Sequence, residues 1–194
     1  PSRRAVLFEP TALKPTVLIF FMTTSYGTIV SFLSLYAAEK GIANIGIYFT
    51  VNALALLVSR PFIGRMIDRF GLEKTLLPGL ALLLFSTLLL SQAGSLGVFL
   101  LVALLYGIGF GAAQSSLQAM SLLGAPTPRV GAANATFMTG YDSGIGVGSI
   151  LFGIIASAIG YEWMYILAAL PLLLSAALFF LPGSKGKQKA EPAP

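Results

Sequence analysis

The chain has 194 residues, of which 10% are charged and 56% are hydrophobic, and its formal net charge is +5. Soluble domains carry about 25% charged residues, so this chain cannot cover a surface in water and is predicted to lie in a lipid bilayer. Cysteine and histidine are absent, which excludes disulfides, a cysteine nucleophile and the commonest metal ligands. We expect no cofactor, no metal and no enzymatic function.

Six stretches of the sequence satisfy the length of a transmembrane helix, which is about 20 predominantly apolar residues. In chain order, they are residues 15–37, 42–63, 76–91, 96–122, 131–159 and 163–181. The predicted domains are a cytoplasmic linker at 1–14, a six-helix transmembrane domain at 15–182 and a disordered basic tail at 183–194. Because the chain opens on a linker-like segment without Met, we expect it to be part of a longer protein.

The basic residues predict the orientation in the membrane. All of the 12 Lys and Arg residues except Lys40 fall on one side of the six spans, and the positive-inside rule assigns that side to the cytoplasm. Both termini are therefore predicted to be cytoplasmic. We also expect a multi-pass protein of a bacterial inner membrane. Since these residues lie between apolar spans rather than on one soluble face, we expect no nucleic-acid partner.

Charge is densest in residues 60–74, RPFIGRMIDRFGLEK, which are predicted to form a tight cytoplasmic turn between the second and third spans. One hypothesis is that Asp68 accepts hydrogen bonds from backbone N–H groups and pairs with Arg65 or Arg69, as a latch on one conformation. The alternative is a solvated charge. The candidate gating residues are Arg60, Gly64, Arg65, Asp68, Arg69, Gly71 and Lys74.

Polar side chains concentrate in four of the six spans, whereas the third and sixth are almost purely apolar and are predicted to face lipid. Polar groups in a bilayer turn toward protein or a wet cavity, because hydrocarbon leaves them unpaired. For the uncharged ones, hydrogen bonding between helices is as good an interpretation as ligand contact. The candidates for a substrate or proton pathway are Asp142, Tyr26, Asn52, Gln114 and Gln118.

Asp142 lies near the middle of the fifth span, where an ionised carboxylate costs about 2.5–3.5 kcal/mol or more on insertion scales. One hypothesis is a site for a proton or a cationic substrate. The alternative is an Asp that holds helices together through Asn52 or Tyr141. An intramembrane aspartyl protease is excluded because the only other Asp, Asp68, lies in the basic segment.

Glycine spacing predicts close helix packing in the fifth span. Gly140, Gly144 and Gly148 recur every four residues, which places them on one helix face where backbones can approach each other. The spans also divide into two triplets that each end in an apolar helix and start on opposite sides of the membrane. This pattern predicts a 3+3 inverted repeat, which recurs among secondary transporters.

The spacing Gly64-x-x-x-Asp68-Arg69-x-Gly71-x-x-Lys74 resembles the cytoplasmic-loop motif of major facilitator superfamily transporters, with Leu72-Glu73 in place of the usual basic pair. The resemblance extends over about residues 15–181 and is to the carboxy-terminal half, helices seven to twelve. The fifth span resembles the antiporter helix motif of drug–proton exporters. The fourth, with GIGFGAAQSS, is similar to a motif of the same family but lacks its intramembrane arginine.

This resemblance implies an all-α, six-helix half of a twelve-helix transporter that works by alternating access. The implied function is proton-coupled export of a small organic or drug-like compound. The implied partners are that substrate, protons, the lipid bilayer and a missing amino-terminal six-helix half. Two alternatives stay open, namely proton-coupled uptake of a sugar or metabolite and a self-assembling six-helix carrier or channel.

Overall fold

The computed structural model describes residues 8–181, and within this range it contains helices and no strand. The predicted tail and the first seven residues of the predicted linker lie outside the described residues. Short 3-10 turns at Pro10–Ala12 and Thr127–Arg129 precede the first and fifth helices. The helices are α1 Leu13–Glu39, α2 Gly46–Phe70, α3 Leu72–Ser91, α4 Leu96–Leu123, α5 Val130–Ile159, α6 Tyr161–Leu167 and α7 Ala169–Phe180.

Six helical stretches of the described range are long and apolar enough to cross a membrane, which confirms the predicted all-α, six-span fold. Helices α1 to α5 supply one span each. The sixth consists of α6 and α7, which are separated at Ala168. Pro171 accounts for this break, because it has no N–H to donate to the carbonyl of Leu167 four residues earlier.

The charged segment is helical, and its prediction as a turn from residue 60 to residue 74 is wrong. α2 continues to Phe70 and α3 begins at Leu72, so that Gly71 alone separates them. Gly71 adopts φ 90°, a conformation that side chains disfavour, and its N–H donates to the Ile67 carbonyl at 2.8 Å. Arg, Lys and Glu are good helix formers, so the helices continue beyond the predicted apolar spans.

The helices are arranged around α1 and α4, which contact each other. α1 packs along α5 and α7, and α4 packs along α2 and α3, while α3 also contacts α6 and α7. If α1 is exchanged with α4, α2 with α5 and α3 with the α6–α7 pair, these contacts map onto one another, although the contact of α4 with α5 has no comparable counterpart between α1 and α2. The helix pairs thus follow the 3+3 repeat that the sequence predicts.

Two helices keep broad apolar faces exposed. In the apolar 18-residue stretch of α2, and likewise in that of α5, fewer than one in five residues are buried. In the corresponding stretches of α1, α3 and α4, about half of the residues are buried. Large exposed side chains on these faces are Leu54, Leu57, Val58 and Phe62 of α2, and Val147, Ile150, Leu151 and Ile154 of α5. Faces of this kind require lipid or protein to cover them.

The regularly spaced glycines of α5 lie against the backbone of α1. A Cβ on Gly140 would overlap Thr16, and one on Gly148 would overlap the backbone of Thr24. Gly144 lies in the same way against Phe20 and Thr23. These three glycines set the distance between α1 and α5, because any side chain at their positions would push the helices apart.

Glu9, within the predicted linker, is docked against the end of the bundle at which α5 begins, and it is only 2% exposed. Its backbone N–H donates to the Thr136 hydroxyl of α5 at 3.1 Å. Its carboxylate accepts hydrogen bonds from Thr11 and lies 3.4 Å from the Arg129 guanidinium. Burial raises the pKa of Glu9, but the Thr11 hydrogen bonds and the Arg129 charge outweigh this effect and lower the pKa below its usual 4.5.

We expect the docking of residues 9–12 to weaken in acid. Because the pKa of Glu9 is lowered in the folded state, its ionised form stabilises the docked segment above the usual pKa, and the stabilisation is lost as the pH falls through the lowered value. Glu9→Gln should make these backbone amides exchange hydrogen several-fold faster at pH 7. Hydrogen-exchange mass spectrometry measures this rate, with the exposed Glu39→Gln as the control. Equal exchange in the Glu9→Gln variant and the wild type would contradict the expectation.

Candidate functional site

An aromatic cluster joins α1, α4 and α5 near the middle of the bundle. Tyr26 of α1 packs on Phe110 of α4 with ring centroids 4.6 Å apart, and on Tyr106 at 6.0 Å. Tyr141 of α5 meets Phe110 edge to face at 6.3 Å. Tyr106 and Phe110 are buried, whereas Tyr26 and Tyr141 are half-buried. We call Tyr26, Tyr106, Phe110 and Tyr141 the aromatic cluster.

Tyr106 is a member of this cluster that the sequence analysis missed. It lies four residues before Phe110, and this spacing places both rings on one face of α4. The signal was present, but rings at helical spacing occur throughout the apolar spans of this chain. Only the approach of Tyr26 from α1 distinguishes this pair from the others.

Asp142 follows the aromatic cluster on α5, and its side chain is exposed. The proposed bonds to Asn52 and Tyr141 are not formed, so the helix-stapling alternative is wrong for this conformation. Asn52 instead donates to the Ala103 carbonyl of α4 at 3.1 Å. Within residues 8–181, the Asp142 carboxylate makes no hydrogen bond or ion pair, and it is therefore accessible to a proton or a ligand.

The uncharged candidates differ in what they contact. Asn52 lies at the close approach of α2 and α4, where a Cβ on Gly107 would meet the Asn52 carbonyl at 2.6 Å. Gln118 donates from Nε2 to Asn134 Oδ1 of α5 at 3.2 Å. Both amides therefore connect helices. Gln114 forms no hydrogen bond within the described range and lines a cavity instead.

This cavity lies between α2 and α4 and has a volume of about 320 Å³. We call it the polar cavity. It brings together residues that the sequence analysis treated as separate groups, the charged segment and the pathway candidates. Its walls include Arg60, Ile63 and Gly64 of α2, and Gln114, Ser115 and Gln118 of α4. A second cavity between the same helices, of about 460 Å³, is lined by Leu54, Val58, Phe62, Leu104 and other mainly apolar residues.

The expected pairing of Asp68 is not present in this conformation. Asp68 is exposed near the end of α2. Arg65 donates from Nε to the Pro61 carbonyl at 3.2 Å, and its guanidinium lies over the Phe62 ring. The ion pairs of the described residues are elsewhere, between Lys40 and Glu162 and between Arg129 and Glu9.

The other members of the charged segment are distributed over two helices. Arg69 lies near the end of α2, with its guanidinium 5.2 Å from the centre of the Phe70 ring. Lys74 is exposed on the first turn of α3, after the turn at Gly71. A gating role for these residues stays a prediction.

Comparison with known proteins places the chain in a family of transporters. Residues 16–194 match the family model described as Major Facilitator Superfamily. The chain is 25% identical to the staphylopine export protein of Staphylococcus aureus (strain Mu50) over 87% of its own length and 44% of that protein. It is 26% identical to the multidrug resistance protein MdtG of Dickeya zeae over 80% of its length and 40% of that protein. The vesicular acetylcholine transporter of Tetronarce californica is 38% identical over a shorter stretch, 39% of this chain and 15% of that transporter.

The chain spans less than half the length of each of these relatives. The first is named as an export protein, the second as a multidrug resistance protein and the third as a transporter, and none of the three is named as an enzyme. Together with the six apolar helices, the family match over nearly the whole sequence shows that the chain is an integral, multi-pass membrane protein belonging to the Major Facilitator Superfamily.

Proposed function

We propose that this chain is the carboxy-terminal half of a secondary active transporter that exports a small organic compound in exchange for protons. The observation that carries the proposal is the position of Asp142, an exposed and unpaired carboxylate beside the aromatic cluster. A carboxylate inside a membrane span is energetically costly, so its presence there supports a functional role. The relatives named for export and drug resistance support the direction of transport.

The aromatic cluster suits an organic substrate. Tyr26 and Tyr141 leave part of their rings accessible, and they are held by the buried rings of Tyr106 and Phe110. Ligand sites are commonly apolar and aromatic surfaces with a few well-placed polar groups. In the proposed transporter, this surface contacts the substrate near the middle of the membrane, while Asp142 takes up and releases the proton.

The exposed faces of α2 and α5 support a second six-helix half as the partner. They belong to the two helices that pack along the central helices, α2 on α4 and α5 on α1. Covering both faces would enclose a central cavity, and rocking of the two halves would open it alternately to each side of the membrane. We propose a bacterial inner membrane with both chain termini in the cytoplasm, as the positive-inside rule predicts.

The test uses the whole transporter reconstituted in proteoliposomes. Imposing a pH gradient should drive a fluorescent drug-like compound across the membrane, and a protonophore should abolish that movement. Empty liposomes with the same gradient are the control for passive permeation. Transport that continues unchanged after the pH gradient is collapsed would contradict the proton coupling, and no movement of any tested compound would contradict the export function.

A further inference from the structure

The polar cavity contains a guanidinium without a counter-charge. Arg60 lies ten residues before the end of α2 at Phe70, about 15 Å from that end at 1.5 Å per residue. Within residues 8–181, neither ion pair involves Arg60. The Arg60 side chain is exposed, and the planar N–H groups of a guanidinium match the paired oxygens of a carboxylate or a phosphate.

Neutral hydrogen-bonding groups line the same cavity as Arg60. Gln114 and Ser115 line the cavity from α4, and neither side chain has a hydrogen-bond partner in the described range. Gln118 is held in place by its bond to Asn134, which leaves its carbonyl oxygen and second N–H available. The cavity thus provides one fixed positive charge and several neutral donors, an arrangement suited to an anion.

The remaining wall of the cavity is apolar. Ile63 lies three residues after Arg60, and Gly64 lies four residues after it, so all three share one face of α2. Among the residues that the structure describes, no carboxylate lines the cavity, so a cation would find no counter-charge from them there. The volume of about 320 Å³ lies at the lower end of the range for small-molecule sites.

We propose that the polar cavity binds an oxyanion group, a carboxylate or phosphate, of the organic compound that the transporter carries. Arg60 contacts the oxyanion through its guanidinium fork, and Gln114 and Ser115 donate hydrogen bonds to its oxygens. This inference rests on the proposed transport function and narrows its substrate to organic acids, organic phosphates and zwitterions. It also gives Arg60 a role separate from the gating motif in which the sequence places it.

Binding to the whole transporter in phosphatidylcholine nanodiscs tests the inference. The probes are benzoate, citrate and phenyl phosphate, with tetraphenylphosphonium as the cationic counterpart, and titration calorimetry measures their affinities. At least one oxyanion should bind. Arg60→Gln should weaken it about ten- to hundredfold, the loss expected for a hydrogen bond to a charged group.

Three further variants separate charge, geometry and folding. Arg60→Lys keeps the charge but not the planar fork, so it should restore only part of the affinity. Gln114→Ala should weaken binding less than Arg60→Gln, because a neutral donor is lost. Lys40→Gln removes a positive charge that pairs with Glu162 outside the cavity, and it should bind the probe like the wild type. If Arg60→Gln does not fold, the affinities of Arg60→Lys and Gln114→Ala test whether the oxyanion binds in the polar cavity. Both variants should then bind the probe more weakly than the wild type.

The same titrations distinguish a substrate from a lipid. If the anionic lipid phosphatidylglycerol in the nanodiscs abolishes probe binding to the wild type, the oxyanion in the cavity is a lipid headgroup and the substrate assignment is overturned. Absence of oxyanion binding, or binding that Arg60→Gln leaves unchanged, also overturns the inference. Proton-driven transport in proteoliposomes is measured separately, so failure of oxyanion binding is distinguished from failure of the proposed function.

Discussion

Gly148→Ala should destabilise the bundle strongly, because a Cβ at this position would penetrate the backbone of α1. It would meet the Thr24 carbonyl oxygen, with the Thr24 Cα and carbonyl carbon each 2.9 Å away. No side chain can turn aside to make room, so α1 and α5 must separate along their contact. Overpacking of this kind costs about 1–3 kcal/mol and occasionally more, and we expect the upper end of this range.

Gly146→Ala is the matched control on the same helix. A Cβ at Gly146 would meet nothing within 4 Å, and alanine is favoured over glycine in a helix interior by about 1 kcal/mol. The two substitutions add the same methyl group two residues apart and should change stability in opposite directions. Thermal unfolding of the purified protein in detergent measures both. Equal shifts in the unfolding midpoint would show that the α1–α5 contact is not as close as described.

Asp142→Asn should abolish proton-driven transport by the whole transporter and reduce it to the level of empty liposomes. Asparagine has nearly the same size as aspartate but cannot bind or release a proton. Since Asp142 makes no hydrogen bond within the described range, the substitution breaks no structural contact there. The proton-coupling hypothesis therefore predicts loss of transport with little change in stability.

Asp142→Glu is the companion variant, because it keeps a titratable carboxyl group at the same position. It should retain part of the gradient-driven transport that Asp142→Asn loses. Initial transport rates at several imposed pH gradients provide the comparison, and thermal unfolding verifies that both variants fold. Full gradient-driven transport by Asp142→Asn would show that the proton is carried elsewhere.

Hydropathy alone determined the fold class. Six apolar stretches of sufficient length predict six spans, because hydrocarbon accepts only backbones whose hydrogen bonds are satisfied within the helix. The polar and apolar spans also predicted the 3+3 repeat, which the helix contacts follow. The four-residue spacing of Gly140, Gly144 and Gly148 predicted a packing face, although the sequence did not name α1 as the helix that it meets.

The helix ends and the partners of polar side chains were decided only by the tertiary structure. Hydropathy marks where a chain leaves the hydrocarbon, but not where its helix ends, so α2 continues seven residues beyond the predicted limit of 63 to Phe70. The sequence likewise placed Arg60 in a gating segment and Gln114 in a pathway, and the packing of α2 on α4 brings them into one cavity. Spacing along one helix fixes which residues share a face, whereas the rotation and position of the neighbouring helix decide what that face meets.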